Sequence, residues 1–240
     1  MRRIGSGPPL LLVHGGIEDG EQTFPEQMAL AERWTLLIPD RVGYGGSAAL
    51  GDGEDFERDA ALLAPVLEPG THVLGHSSGA IAAMLLAAAR PEAVSSLALI
   101  EPPAFHLAPG AHDLLVHHQA LFARTELDPV AFLQEFLRGL GEEPPPAEAL
   151  APLAEPTQVW RRVVRWWWEA DIPLDALARA PFPKLIFSGG YDDGFEAVCD
   201  TIAAAIGAER ETMPGQGHEV QRNGAPFNER LERFLGAASG

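Results

Sequence analysis

The run Thr71-His72-Val73-Leu74-Gly75-His76-Ser77-Ser78-Gly79 joins an apolar, strand-like stretch to a Gly-x-Ser-x-Gly turn and then to the start of a helix. Such a turn suits a nucleophile. Glycines at 75 and 79 leave room for a sharp strand-to-helix bend, which lifts the Ser77 hydroxyl above a sheet at a helix N-terminus. Alone, the pentapeptide reads equally well as a Gly-Ser loop, because both residues are common in turns. Two distant segments change that. Leu185-Ile186-Phe187-Ser188-Gly189-Gly190-Tyr191-Asp192-Asp193 is a strand running into a turn that carries carboxylates, and Met213-Pro214-Gly215-Gln216-Gly217-His218 ends in a Gly-flanked histidine. Ser77, Asp192 and His218 therefore follow one another in the order serine, acid, histidine, each just past a strand. In that arrangement His218 takes the Ser77 proton as general base and returns it to the leaving group. The acid holds the imidazole tautomer and stabilises the imidazolium.

A negative charge developing on a substrate oxygen needs donors. His14-Gly15-Gly16 follows the apolar run Leu10-Val13, and a backbone N–H in such a turn can face that oxygen; Gly16 is the first choice and Ile17 the next. The N–H of Ser78, at the helix start, is the second donor. His14 precedes the turn and is read as orienting the loop rather than as an acid or base. The loop Pro39-Asp40-Arg41-Val42-Gly43-Tyr44-Gly45-Gly46-Ser47 is Gly-rich but has neither the Lys-Ser/Thr of a phosphate loop nor the spacing of a dinucleotide turn. Asp40 and Arg41 are expected to form a local charge pair at the pocket floor.

These residues need a scaffold with strand ends on one side. Leu10-Val13, Thr35-Ile38, His72-Leu74, Leu97-Ile100, Lys184-Ser188 and Glu211-Met213 read as strands without period-two alternation, as expected of a parallel sheet covered on both faces. Helical patterns at Phe24-Arg33, Phe56-Leu67, Ser78-Arg90, Phe195-Ile206 and Pro226-Leu235 are long enough for right-handed crossovers. The fold class is α/β, a mostly parallel central sheet flanked by helices. The helix after Ser77 is apolar on every face and should be buried; Pro91 closes it.

Between Pro102 and Pro181 the rhythm breaks into helical patterns around a link at Glu142-Glu143-Pro144-Pro145-Pro146. We read one domain over residues 1–240 with a helical insertion at 104–180. The stretch from Val159 to Trp168 reads as helical, and three consecutive tryptophans on a helix point about 100° apart. Trp166, Trp167 and Trp168 then cannot share one buried face; at least one should look into a cleft, onto the main domain or at a second subunit. Packing is the commoner role for a tryptophan, but Phe105, Trp166 and Trp167, with Phe122, Trp160 and Trp168, are candidates for the wall of a substrate pocket. A medium-sized, largely apolar acyl or alcohol group would fit such walls.

Composition narrows the classes. Acidic residues outnumber basic ones by 34 to 17, which argues against a nucleic-acid or anionic-membrane surface. The single cysteine, Cys199, permits neither an internal disulfide nor a cysteine metal cage and is read as a core residue. Neither a signal-peptide core nor a membrane-spanning run of roughly 20 apolar residues is present, so the expectation is a cytoplasmic protein. No metal or organic cofactor is called for, the expected partner is a small-molecule substrate, and a homo-oligomer is left open.

Together, His14-Gly15-Gly16, the Asp40-to-Ser47 loop, Gly75-His76-Ser77-Ser78-Gly79, Gly189-Gly190-Tyr191-Asp192 and Gly217-His218 resemble the α/β-hydrolase superfamily, in its serine-nucleophile branch with a helical cap. The resemblance implies a Ser-acid-His triad and a cap lining the pocket. Two departures stand out. Relatives carry a β-hairpin ahead of the His-Gly turn, for which the nine residues before Leu10 leave little room, so the first strands are expected to be missing or vestigial. Some relatives also place the acid after the strand that follows the nucleophile helix, where Leu99-Ile100-Glu101-Pro102-Pro103 offers Glu101. Asp192 ranks first as the acid, Glu101 second and Asp193 third. The expected activity is serine hydrolase (esterase-like) cleavage of a carboxylic ester or related small acyl substrate through a Ser77 acyl-enzyme. Carbon–carbon bond hydrolysis or a lyase reaction on the same triad stays open, as do a non-catalytic ligand-binding receptor and an interaction module using the tryptophan-rich stretch as a partner surface.

Overall fold

The computed structural model describes residues 1–48, 53–141 and 143–238; Glu142, at the head of the Pro-rich link, lies outside them. Seven strands form one sheet: β1 (Arg2–Ile4), β2 (Pro9–Val13), β3 (Thr35–Ile38), β4 (Thr71–His76), β5 (Val94–Ile100), β6 (Lys184–Ser188) and β7 (Glu209–Thr212). Their order is β1-β3-β2-β4-β5-β6-β7. All neighbours are parallel except β1, which runs antiparallel to β3 with Arg3 opposite Leu37. The N-terminus thus supplies one short antiparallel edge strand, where none or a vestige was expected. Its polar Arg2-Arg3 start hides it from a search for apolar runs, and an edge strand has only one neighbour to bury it.

The inner strands are apolar throughout because both faces are covered. Leu11, Val13, Val73, Leu97, Leu99 and Ile186 face one core; Leu10, Leu12, Leu74, Ala98, Ile100, Leu185 and Phe187 face the other. Successive side chains of a strand point to opposite faces, so neither face can be polar.

The helices are α1 (Gly20–Thr23), α2 (Phe56–Leu63), α3 (Ser78–Ala89), α4 (His112–Phe122), α5 (Pro129–Gly139), α6 (Ala147–Leu150), α7 (Ala154–Arg161), α8 (Leu174–Arg179), α9 (Asp193–Ile206) and α10 (Ala225–Ala237). The α3 helix, nearly all alanine and aliphatic residues, packs between β4 and α2 and is buried on most of its surface, as its sequence demands. The expected helix Phe24-Arg33 is instead a 3₁₀ stretch, Glu26–Glu32, and the short α1 ends just before it. Cys199 is fully buried in α9.

Helices α4 to α8 lie between β5 and β6. The tryptophan stretch is not one helix. The chain leaves α7 at Arg161, and the backbone around Arg162–Val164 pairs with Glu54: Glu54 donates its N–H to Arg162 O at 2.6 Å, and Val164 donates to Glu54 O at 2.8 Å. Freed from the 100° spacing, the three tryptophans join one cluster. Trp166 stacks on Trp168 at 4.7 Å, Trp160 stacks on Trp167 at 5.7 Å, and Phe122 meets all four edge-on.

Candidate active site

The C-terminal ends of β4, β5 and β6 lie side by side, with His76 opposite Ile100 and Ile100 opposite Phe187. Lateral pairing continues one residue past each end. Ser77 donates its N–H to Ile100 O at 2.9 Å, and Glu101 donates to Phe187 O at 3.1 Å. Ser77 and Glu101 then turn sharply, at φ 53° and 41°. Among the described residues the non-glycine positions with positive φ are Ile17, Ser77 and Glu101. All three lie at this end of the sheet, and backbone held in such regions is characteristic of functional sites.

The bend at Ser77 depends on its glycines. A Cβ on Gly79 would sit 2.1 Å from His14 O, and one on Gly75 would press on Ala80 and Ala83 of the helix that follows. The loop His14-Gly15-Gly16 closes over the turn: a Cβ on Gly15 would stand 2.9 Å from Ser77 Cβ, and one on Gly16 would strike the Trp160 indole. Ser77 itself remains half-buried.

His218 is brought here by the turn after β7. Its carbonyl lies 3.2 Å from His76 Nε2, and its ring is 4.9 Å from that of His76, the residue before Ser77. Its Nδ1 is 2.6 Å from Glu101 Oε2. Glu101 is fully buried and further held by the Gly189 N–H on Oε1 at 2.7 Å and the Tyr191 hydroxyl on Oε2 at 3.1 Å. Gly189 has to be glycine, since a Cβ there would lie 2.1 Å from Gly217 O, in the loop that carries His218.

The structure sets the second-ranked acid, Glu101, against His218 and gives the first-ranked one, Asp192, other partners. The Asp192 carboxylate accepts hydrogen bonds from the Gly194 and Phe195 N–H groups, both at 2.9 Å, and caps α9. Asp193 is exposed in the first turn of that helix. Glu101, ranked second, meets His218. In the sequence Tyr191 stands out only as part of the Gly189-Gly190-Tyr191-Asp192 motif, and its place between Glu101 and His218 leaves no trace in spacing.

The expected pair of Asp40 and Arg41 is corrected. Asp40 accepts from the Gly46 N–H at 3.0 Å and pairs with Arg2. Arg41 turns inward and pairs with Glu54 and with Asp59, the latter at 2.9 Å. His14 orients its loop as read, with Nδ1 2.8 Å from Gly15 O and Nε2 accepting the Arg41 N–H at 2.8 Å. Burial and the nearby Arg41 charge push its pKa down to about 3, so the ring is neutral at pH 7.

A cavity of about 400 Å³ opens beside His218, with Gly16 and Ile17 on its sheet side and Leu133, Phe136, Leu137, Leu140, Leu150 and Leu153 on its helical side. Its polar rim is Glu18, Glu219 and Arg222. Burial, helped by Glu219, pushes the Glu18 pKa up to about 7 against the pull of Arg222. The aromatic wall expected from Phe105, Trp166 and Trp167 is corrected: Phe105 and Trp167 are buried in the core, Trp166 is half-buried on Trp168, and five leucines with Phe136 form the helical side of the cavity. With Trp167 and Trp168 packed inside, the stretch does not offer them as a partner surface. Among the described residues no cluster suited to a metal ion is present, and no helix is long and apolar enough to cross a membrane.

A parallel sheet with a strained serine elbow, a buried acid–histidine pair and a glycine loop over the serine defines a recognisable class, and the family model for the alpha/beta hydrolase family matches residues 10–235. The chain belongs to that family. Among solved structures it is similar to an alpha/beta hydrolase from Sphaerobacter thermophilus, at 25% identity and a TM-score of 0.69, covering 98% of this chain and 95% of that one. A pimeloyl-[acyl-carrier protein] methyl ester esterase of Aeromonas hydrophila is 35% identical over 98 residues, 40% of this chain and 39% of that protein. The dihydrolipoyllysine-residue acetyltransferase component of the acetoin cleaving system of Cupriavidus necator is 27% identical over 98% of this chain and 65% of its own length. The chain thus spans less than two thirds of either curated relative.

Proposed function

We propose that the protein is a serine hydrolase that cleaves a carboxylic ester or related small acyl compound through an acyl-enzyme on Ser77, with His218 as general base and Glu101 as the acid of the triad. The observation that carries this reading is the 2.6 Å contact between His218 Nδ1 and Glu101 Oε2, set beside an elbow serine at φ 53°. With the Nδ1 proton donated to Glu101, the Nε2 lone pair is left to take the Ser77 hydroxyl proton. Attack of Oγ on the substrate carbonyl forms a tetrahedral intermediate whose oxyanion is received by the Gly16 and Ser78 N–H groups. Collapse expels the alcohol, protonated by His218. Water, activated by the same imidazole, then releases the acid and restores Ser77.

The helical segment 104–180 serves as the cap in this reading, because its leucines form the far wall of the cavity beside His218. That wall favours a medium-sized, largely apolar acyl or alcohol group. The methyl ester named for the Aeromonas relative supports ester chemistry.

Fluorophosphonate labelling tests the proposal, with the modified peptide located by mass spectrometry. The expected result is a label on Ser77 that is lost in Ser77→Ala and His218→Ala, together with turnover of p-nitrophenyl esters by the native protein only. A native protein that neither labels nor turns over such esters overturns it.

A further inference from the structure

The buried Arg41 guanidinium touches both halves of the proposed oxyanion site. Its Nη1 lies 2.9 Å from Gly15 O, which also accepts from His14 Nδ1 at 2.8 Å. A peptide unit is planar and trans, so the carbonyl of Gly15 and the N–H of Gly16 point in opposite directions. Two donors on that carbonyl therefore fix where the Gly16 N–H aims. The same Nη1 donates to Ser78 Oγ at 3.0 Å, and the Ser78 N–H is the other donor of the site. Ser78 Oγ in turn donates to Glu54 Oε1 at 3.1 Å, so the hydroxyl has a single orientation.

We propose that Arg41 is a positioning residue that holds the Gly15–Gly16 peptide and the start of α3 in one fixed relation, so that both N–H groups meet the oxyanion together. The inference rests on the serine-hydrolase reading above. Glu54 and Asp59 hold the guanidinium on its other side, and the Arg41 N–H fixes the His14 ring, leaving the His14 Nδ1–H to meet Gly15 O. A cluster serving stability alone has little reason to spend Arg41 on a backbone carbonyl, since buried ion pairs contribute little net stability over apolar packing. Arginine suits the task because its planar fork reaches several fixed acceptors at once, which the point charge of lysine does not.

Arg41→Lys keeps a positive charge between Glu54 and Asp59 while losing that reach. The expected result is a fall in kcat on an ester of about 10- to 100-fold, the scale of a misplaced oxyanion donor, with KM within about threefold. Affinity for a trifluoromethyl ketone, which adds to the serine as a tetrahedral oxyanion, should fall by the same factor as kcat. Where Arg41→Lys does not fold, Ser78→Ala replaces it, because it leaves every buried charge paired; about a tenfold parallel loss is expected. Ketone affinity and kcat unchanged within about twofold, or a loss confined to KM, overturns the role of Arg41. Wild-type protein that neither binds the ketone nor labels at Ser77 overturns the hydrolase reading instead, so the two failures are told apart.

Discussion

Two carboxylates stand past neighbouring strand ends, and they do different work. Glu101, one residue beyond β5, is fully buried and meets His218, Gly189 and Tyr191. Asp192, four residues beyond β6, accepts from two backbone N–H groups of its own helix. A carboxylate at the position just before a helix is drawn to the orphan N–H groups of the first turn. Once Asp192 satisfies them, it is committed to the helix. Glu101 has no such local offer: its turned backbone sends the side chain across to β6, where the Gly189 N–H and the Tyr191 hydroxyl await it. The role of an acid is thus decided by which donors compete for it, more than by its distance along the chain from a strand.

The largest effect that sharpens this contrast is on turnover. Glu101→Gln keeps the shape of the side chain but removes the charge that, in the proposed triad, stabilises the imidazolium and selects its tautomer, and kcat is predicted to fall by about 10³- to 10⁴-fold. Asp192→Asn, assayed alongside, should stay within about threefold of wild type because its carboxylate is engaged by the Gly194 and Phe195 N–H groups of α9, and an amide oxygen can still accept from them. Steady-state kinetics on one ester decides the matter. Equal losses in both variants would erase the distinction, and a loss in Asp192→Asn alone would invert it.

How much of this was legible in the residues follows the range of the interactions. The elbow, the His14 loop and the inner strands can be read because each is a local run whose types answer to local geometry, with apolar residues on both strand faces and glycines where chains touch. Glu101 was legible as a second choice only. Its selection depends on Gly189 and Tyr191, some ninety residues away, and on a φ of 41° that sequence does not display. Arg41 failed in the same way: Asp40 is adjacent in sequence, while its actual partners Glu54 and Asp59 arrive through a separate loop and helix. The tryptophan stretch misled because its periodicity is helical, whereas long-range pairing of Arg162–Val164 with Glu54 ends the helix. The edge strand β1 escaped because two arginines open it.

A smaller effect should appear one step further from the proton. Tyr191 donates its hydroxyl to Glu101 Oε2 at 3.1 Å and lies 3.5 Å from His218 Nδ1. Tyr191→Phe removes that bond and leaves Glu101 with Gly189 and His218. A hydrogen bond to a charged group is worth about 1.5–3 kcal/mol, roughly 10- to 150-fold if all of it is lost in the transition state, and as His218 and Gly189 still hold Glu101 the kcat loss is expected at the lower end, about tenfold. A larger loss, approaching that of Glu101→Gln, would make Tyr191 part of the acid rather than its support.

The smallest effect belongs to Asp192 and falls on stability. Asp192→Ala strips the side-chain acceptor from the Gly194 and Phe195 N–H groups, leaving the first turn of α9 to water or to nothing. Losing such an N-cap costs about 1 kcal/mol, which for a domain of this size is a drop in Tm of about 2–4 °C. Phe195 is buried against Phe105 and His218, with ring centroids at 5.2 and 4.9 Å, so fraying of this turn has a path to the imidazole. The contrast with Glu101 therefore predicts a specific pattern: a lower Tm with kcat intact well below the transition, and a loss of activity that appears only as the turn melts. Thermal denaturation measured beside temperature-dependent kinetics would show it. A kcat already reduced at low temperature, with Tm unchanged, would mean that Asp192 acts on the histidine after all.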